Sequence, residues 1–136
     1  MTASDLAREM GRRFRAGDFD GAFALLHPEF RILQPGSLPH GGWHHGSAGM
    51  AEMGARFAEH WTRTIGEAHL FGDGDFAAQT TAQTWTSLAT GRSATVEVVE
   101  LFTADGDLIR EIRVFQQDTH ALLATLDRPA EGKEHK

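Results

Sequence analysis

Three histidines fall within six residues, His40, His44 and His45, and give this chain its densest supply of groups that titrate near neutrality. They lie in Gln34–Gly49, QPGSLPHGGWHHGSAG, with Trp43 among them. Imidazoles beside a large apolar ring make a pocket rim that could move protons on an apolar substrate. The same residues also suit a packed loop whose Trp43 plugs the core and whose histidines face water. A metal is a third possibility that three imidazoles raise. However, His40 and His44 converge at a spacing of four only on a helix, and the nearest acid in sequence is Glu52. No metal site and no cofactor are expected. A further chemical group is Glu100, a carboxylate set in the β-branched, apolar run Thr95–Phe102.

Composition narrows the chemistry. The chain has 136 residues, enough for one domain with a real core. It has no cysteine, so neither disulfides nor thiolate metal sites are available, and no tyrosine, so proton chemistry falls to His, Asp, Glu or water. A net charge of −6 argues against a nucleic-acid partner, whose phosphates call for clustered Lys and Arg. Arg8, Arg12, Arg13 and Arg15 fit the wet side of a helix instead. The N-terminal stretch is charged rather than apolar, and no window approaches a bilayer span. The expectation is a soluble, cytoplasmic protein without a membrane partner. Nucleophile elbow, phosphate-cradling loop and dinucleotide fingerprint are all missing from the sequence.

These groups must be held by elements that the pattern outlines. Leu6, Met10 and Phe14 recur every fourth residue over 4–16, with Ser4 as N-cap and Gly17 as the stop. Asp18 caps a second helix, Phe19–Leu26, which His27-Pro28 ends. Phe30–Leu33 is a short strand feeding the long loop, whose glycines and prolines exclude regular structure. Ser47 starts a third helix running to about Thr62, with Met50, Met53, Phe57 and Trp61 as its apolar stripe. From there the texture is β: Glu67–Phe71, Phe76–Leu88, Thr95–Phe102 and Leu108–Gln116, in antiparallel succession. Asp118 or Thr119 caps a closing helix through Leu126, and residues 128–136 form a charged tail expected to fray into disorder beyond a domain of residues 1–127. Helices first and a meander after them give an α+β fold, helices on one face of a curled sheet.

The Asp105-Gly106 hairpin sets a register. A three-residue loop closed by Gly106 places Glu100 opposite Arg110, Glu97 opposite Arg113 and Val98 opposite Ile112. A two-residue loop would oppose Glu100 and Glu111, and like charges across strands repel, so the first register is expected. One face then carries Val96, Val98, Glu100 and Phe102 with Leu108, Arg110, Ile112, Val114 and Gln116. Glu100 at its centre is either a structural partner of Arg110 or a pocket carboxylate acting as acid, base or acceptor. Trp85 shares a strand face with Gln79, Thr81 and Gln83, a wall for a planar ligand or a dimer surface.

Phe14-Arg15-Ala16-Gly17-Asp18-Phe19-Asp20, then Leu26-His27-Pro28-Glu29-Phe30, the loop end Gly41-Gly42-Trp43-His44-His45-Gly46 and Asp105-Gly106-Asp107-Leu108-Ile109-Arg110-Glu111-Ile112 together resemble a SnoaL-like member of the nuclear transport factor 2 (NTF2-like) superfamily, over nearly all of residues 4–126. The resemblance implies an NTF2-like conical barrel, a curved, mostly antiparallel sheet wrapped around N-terminal helices with a pocket in the cone, and homodimers formed through the sheet. The superfamily spans polyketide cyclases, ketosteroid isomerases, epoxide hydrolases, dehydratases and non-catalytic modules, so fold does not decide function. Many SnoaL-like cyclases carry a His and an Asp two residues apart after the glutamate that Glu111 resembles. This chain reads Ile112-Arg113-Val114 there and lacks that pair.

Two functions follow. One is a small cofactor-free enzyme acting on a hydrophobic, oxygenated substrate of polyketide, terpenoid or steroid type by cyclisation, isomerisation or dehydration. Its catalytic candidates are His44, His45 and Glu100, and its binding candidates are Trp43, His40, Met53, Phe57, Trp61, Trp85 and Gln116. The other is a non-catalytic dimeric module that binds a ligand or a protein.

Overall fold

The computed structural model describes residues 1–127, and the tail expected over 128–136 lies outside the described residues. Among the described residues four helices and seven strands follow one another: α1 (Ala3–Arg15), α2 (Phe19–Phe23), β1 (Leu26–Gln34), β2 (Gly42–His45), α3 (Gly46–Ala58), β3 (Trp61–Ile65), β4 (His69–Asp73), β5 (Phe76–Ser87), β6 (Ser93–Asp105), β7 (Leu108–Gln116) and α4 (Thr119–Ala124). The strands form one strongly curled sheet in the order β2-β1-β7-β6-β5-β3, with β4 beside β3 along the outer edge of β5. All neighbours are antiparallel except β1 and β7. The α+β cone that the sequence implied is the observed fold.

Local chemistry explains the element ends. Thr2, rather than Ser4, caps α1: its hydroxyl accepts from Asp5 N while the Asp5 carboxylate accepts from Thr2 N, a reciprocal pair that satisfies two otherwise orphan donors. Asp18 and Asp118 cap α2 and α4 through Gly21 N and Ala121 N. α1 packs on β4, β5, β6 and β7 and buries Ala3, Leu6, Ala7 and Met10 in the same core cluster as Phe30, Ile32, Phe102, Ile109 and Ile112, which forms one end of the cone. α3 touches β1, β2 and β3 and so spans the gap between the two edges of the curled sheet. α4 covers the opposite end, where Trp61 Nε1 donates to Thr125 Oγ1 at 2.8 Å in a buried bond. Among the described residues no helix is long and apolar enough to cross a membrane.

Several expectations need correction. The second helix stops at Phe23, because β1 begins as early as Leu26 and takes His27-Pro28 into an edge of its pairing. The long loop is not wholly irregular, since Gly42–His45 adds a strand to β1. The third helix stops at Ala58, so Trp61 is the first residue of β3 and not part of the helical stripe. The hairpin register also differs. Its loop is the two residues Gly106-Asp107, and Asp105 pairs with Leu108. The pairing then slips between Thr103 and Ala104, leaving Arg110 as a bulged, unpaired residue. The bulge lets Ile109 and Ile112, three apart, both point inward, and it sets Glu100 opposite Val114 instead of Arg110. Counting from the turn could not foresee that extra residue. Arg110 lies outside with Asp105 at 3.4 Å and Glu29 at 3.7 Å.

Candidate functional site

Register alone sorts the concave face into layers. The deepest is Ile32, Ile112, Phe102 and Ala77 on β1, β7, β6 and β5, sealed by α1. One step along the strands, the same face carries Gln34, Val114, Glu100 and Gln79. The next step carries Gln116, Val98 and Thr81, and then come Val96 with Gln83. Beyond them Trp85 meets Phe57 of α3, Trp61 of β3 and His40 of the loop, with ring centroids 4.8–6.1 Å apart. A polar band therefore lies between an aliphatic layer and an aromatic one. Buried polar side chains in such a place are costly unless they are paired or serve a ligand.

Most of the band is paired. Gln79 Nε2 donates to Glu100 Oε1 at 3.0 Å, Gln83 Nε2 to Thr81 Oγ1 at 3.0 Å and Trp85 Nε1 to Gln83 Oε1 at 3.0 Å. Among the described residues three atoms are not: Gln34 Oε1, Gln116 Oε1 and His40 Nδ1 are buried with no partner there. Glu100 keeps some solvent-accessible surface although protein crowds its carboxylate, as expected for a group lining a concavity. Burial pushes its pKa above the ordinary carboxylate value, against the hydrogen bond from Gln79 and the positive charge of Arg63. Arg63 projects from β3 with its guanidinium 4.9 Å from the Phe57 ring centre. A carboxylate of raised pKa, held by one oxygen and open at the other, is equipped to take or give a proton.

The loop between β1 and β2 inserts His40, only 3% exposed, into the aromatic layer. Burial, then Arg63 and the neighbouring histidines, hold its pKa down to about 4, so the ring is neutral at physiological pH. The loop is closed by Leu38 N donating to the Pro35 carbonyl, Gly41 N to the Leu38 carbonyl and His44 Nε2 to the His40 carbonyl at 2.8 Å. Gly41 is required there, since a Cβ would run into the Pro35 carbonyl oxygen.

The structure brings His40, Met53, Phe57, Trp61, Trp85, Glu100 and Gln116 to the concave side, with Met53 Sδ accepting from Gln34 Nε2 at 3.3 Å. His44 also points inward, but its Nε2 clasps the loop. Trp43 and His45 flank it on β2 and therefore face out, because side chains alternate along a strand. His45 is exposed, and Trp43 lies against Arg31 (4.0 Å) and Arg113 (5.5 Å) on the convex face. Sequence reasoning missed Gln34 and Arg63. The alternation Phe30, Ile32, Gln34 is a usable signal for the first, but Arg63 carries none, since the helical stripe expected to run through Trp61 hides the strand that bears it.

The convex side is different in kind. Glu111 bridges Arg31 and Arg113 at 2.8 and 2.9 Å. Burial tends to raise its pKa, but the bonds from Arg113 and Arg31 outweigh that and hold it below the ordinary value. Depressions of about 330 Å³ and 570 Å³ open here, the first beside Glu29, Arg31 and Arg110 and the second beside Phe71, Phe76 and Leu101. Neither lies in the cone. The first is lined by ionic groups paired to each other, Arg31 with Glu111 and Arg110 with Glu29, and the second is mostly apolar. Among the described residues no group of three or more His, Cys, Asp or Glu converges as metal ligands would.

The SnoaL-like domain family matches the chain over residues 7–112. No curated protein matches it. Among solved structures, an NTF2-like protein from Burkholderia xenovorans LB400 superposes with a TM-score of 0.83 at 21% identity, covering 93% of this chain and 98% of that one. TerC, co-crystallized with polyporic acid, gives 0.81 at 21% identity, with 91% and 97% covered. A Pseudomonas putida KT2440 protein provisionally described as a polyketide cyclase gives 0.77 at 17% identity, with 93% and 99% covered. At such identities the likeness is one of fold.

Proposed function

The chain belongs to the SnoaL-like domain family, and from that premise we propose that it is a small, cofactor-independent enzyme working by acid/base chemistry on a hydrophobic, oxygenated ring substrate. The reaction class is proton abstraction beside a carbonyl, leading to cyclisation, isomerisation or dehydration. One observation carries this reading: Glu100, a carboxylate whose pKa burial raises, lies in the polar band of the cone together with buried atoms that no group among the described residues satisfies. Glu100 takes the proton through its free oxygen while Gln79 steadies the other. Arg63 places positive charge at the same wall, where an oxygen gaining negative charge would benefit. Trp85 and Phe57 supply the apolar faces that seat a ring. Neighbours of the same fold include a provisional polyketide cyclase and a protein crystallised with polyporic acid, which supports the substrate class. The test is deuterium incorporation next to the carbonyl of ring ketones in heavy water. Glu100→Gln should lower the rate by about 10²–10⁴-fold and His45→Ala should leave it unchanged. Equal rates for Glu100→Gln and the parent would remove Glu100 from the chemistry.

A second reading has its own support. His40 packed between Phe57, Trp61 and Trp85 fills one end of the cone, as a non-catalytic binding module would have it. Under either reading the partner surface is the convex sheet, where Phe71, Leu101 and Phe115 are exposed, and a homodimer is proposed there. No ketone exchange with any substrate, together with tight ligand binding, would favour the module.

A further inference from the structure

The unsatisfied atoms of the cone share a chemical sense. Several amide and indole nitrogens of the cone bond within the protein: Gln79 Nε2 to Glu100, Gln83 Nε2 to Thr81, Trp85 Nε1 to Gln83, Trp61 Nε1 to Thr125 and Gln34 Nε2 to the sulfur of Met53. Among the described residues, the buried side-chain atoms of the cone left without a partner are able to accept. Gln34 Oε1 and Gln116 Oε1 have no donor among the described residues, and Gln34 is only 8% exposed, so bulk water does not serve it freely. His40 Nδ1 is equally unpartnered on a ring only 3% exposed, and it accepts in one of its neutral tautomers. The free oxygen of Glu100 accepts as well. A buried acceptor without a donor is expensive, and a ligand hydroxyl relieves it.

We infer that the cone selects a planar ligand bearing at least two hydroxyl groups, which donate to Gln34 Oε1 and Gln116 Oε1 while its ring lies against the aromatic layer. The inference rests on the cone being the ligand site, but not on catalysis there. The spacing fits. Gln34 neighbours Val114 on the adjacent strand, and Gln116 lies two residues further along the same face. Their Cα atoms are therefore roughly 8 Å apart, from a strand separation of about 4.8 Å and a rise of about 3.3 Å per residue. Two side chains reaching inward from that distance straddle a fused bicyclic ring with hydroxyls on one edge. A ligand whose oxygens carry no hydrogen leaves both glutamine oxygens unsatisfied and binds more weakly, which makes the two glutamines specificity determinants.

Calorimetric titration of the purified protein with 1,3-dihydroxynaphthalene and with its dimethyl ether tests this. The diol should bind about tenfold tighter for each hydroxyl bond formed. Gln34→Leu and Gln116→Leu should each erase about one tenfold step, leave binding of the ether unchanged and raise the melting temperature of the ligand-free protein, since each removes an unsatisfied acceptor. If diol and ether bind equally and the variants change neither, the inference is overturned while the cone stands as a ligand site. If no probe binds but ring ketones still exchange through Glu100, it is overturned again and the catalytic reading survives. If both binding and exchange are absent, both fall together.

Discussion

Replacing His40 by Leu should make the protein markedly less sensitive to mild acid. In the folded state the His40 ring is buried among Phe57, Trp61 and Trp85, and its pKa is lowered from 6.5 to about 4. In the unfolded chain it returns to its ordinary value. Above that value the ring is neutral in both states and costs nothing. As pH falls below it the unfolded chain takes up a proton that the folded one refuses, so stability drops until the folded pKa is reached. At about 1.36 kcal/mol per pH unit, the loss across this window comes to about 3 kcal/mol. Other groups do not mimic the effect. Glu111, whose pKa is lowered, gives up its contribution only as pH falls below the ordinary carboxylate value. Glu100, whose pKa is raised, works in the opposite direction, since acid stabilises its buried protonated form, and it does so equally in parent and variant. Urea midpoints measured at intervals from pH 7.5 to pH 4.5 isolate the term. The parent should lose on the order of 1 kcal/mol per pH unit more than His40→Leu below pH 6.5. Parallel curves would mean that His40 is not buried as a neutral ring, and the account of the loop would fail.

Thr125→Val leaves the buried Trp61 Nε1 without its acceptor and should cost about 1–3 kcal/mol by chemical denaturation, loosening α4 from the aromatic layer. Gly41→Ala forces the β1–β2 loop open against the Pro35 carbonyl and should destabilise by about 1–3 kcal/mol, with amide exchange rising first over residues 35–41. Phe115→Asp together with Leu101→Asp puts charge on the convex face and should convert a dimer to monomer in light scattering while leaving the cone's ligand affinity intact.

The fold was legible because its signals were local and mutually consistent. Leu6, Met10 and Phe14 mark α1, Asp18 and Asp118 cap their helices, and the alternation Val96, Val98, Glu100, Phe102 marks the inward side of β6. Alternation along β5 likewise grouped Trp85 with Gln79, Thr81 and Gln83. The partner of Glu100 was not legible. A bulge at Arg110 is a tertiary compromise that inserts one residue without changing the hydrophobic pattern near the turn, and it moved Arg110 out of the face assigned to it. The histidine loop misled for a related reason. Four residues, Gly42–His45, are too few for periodicity to rise above their glycine- and proline-rich surroundings, so the strand that turns His44 inward and Trp43 and His45 outward stayed hidden. His40 could be suspected but not placed, because a loop side chain finds its burial through long-range contacts. Gln34 was passed over because a polar residue at the end of a short strand reads as the start of a loop. Only the sheet's curvature shows that it faces the interior.

The most direct test of the cone as the working site is the titration of Glu100 itself, followed by carbon NMR of protein labelled at glutamate carboxyls and assigned by the resonance lost in Glu100→Gln. The account predicts a carboxyl that titrates above its ordinary value of 4.5 and whose resonance and pKa both move when a ring ligand is added. A Glu100 that titrates at the ordinary value and ignores every ligand would contradict it.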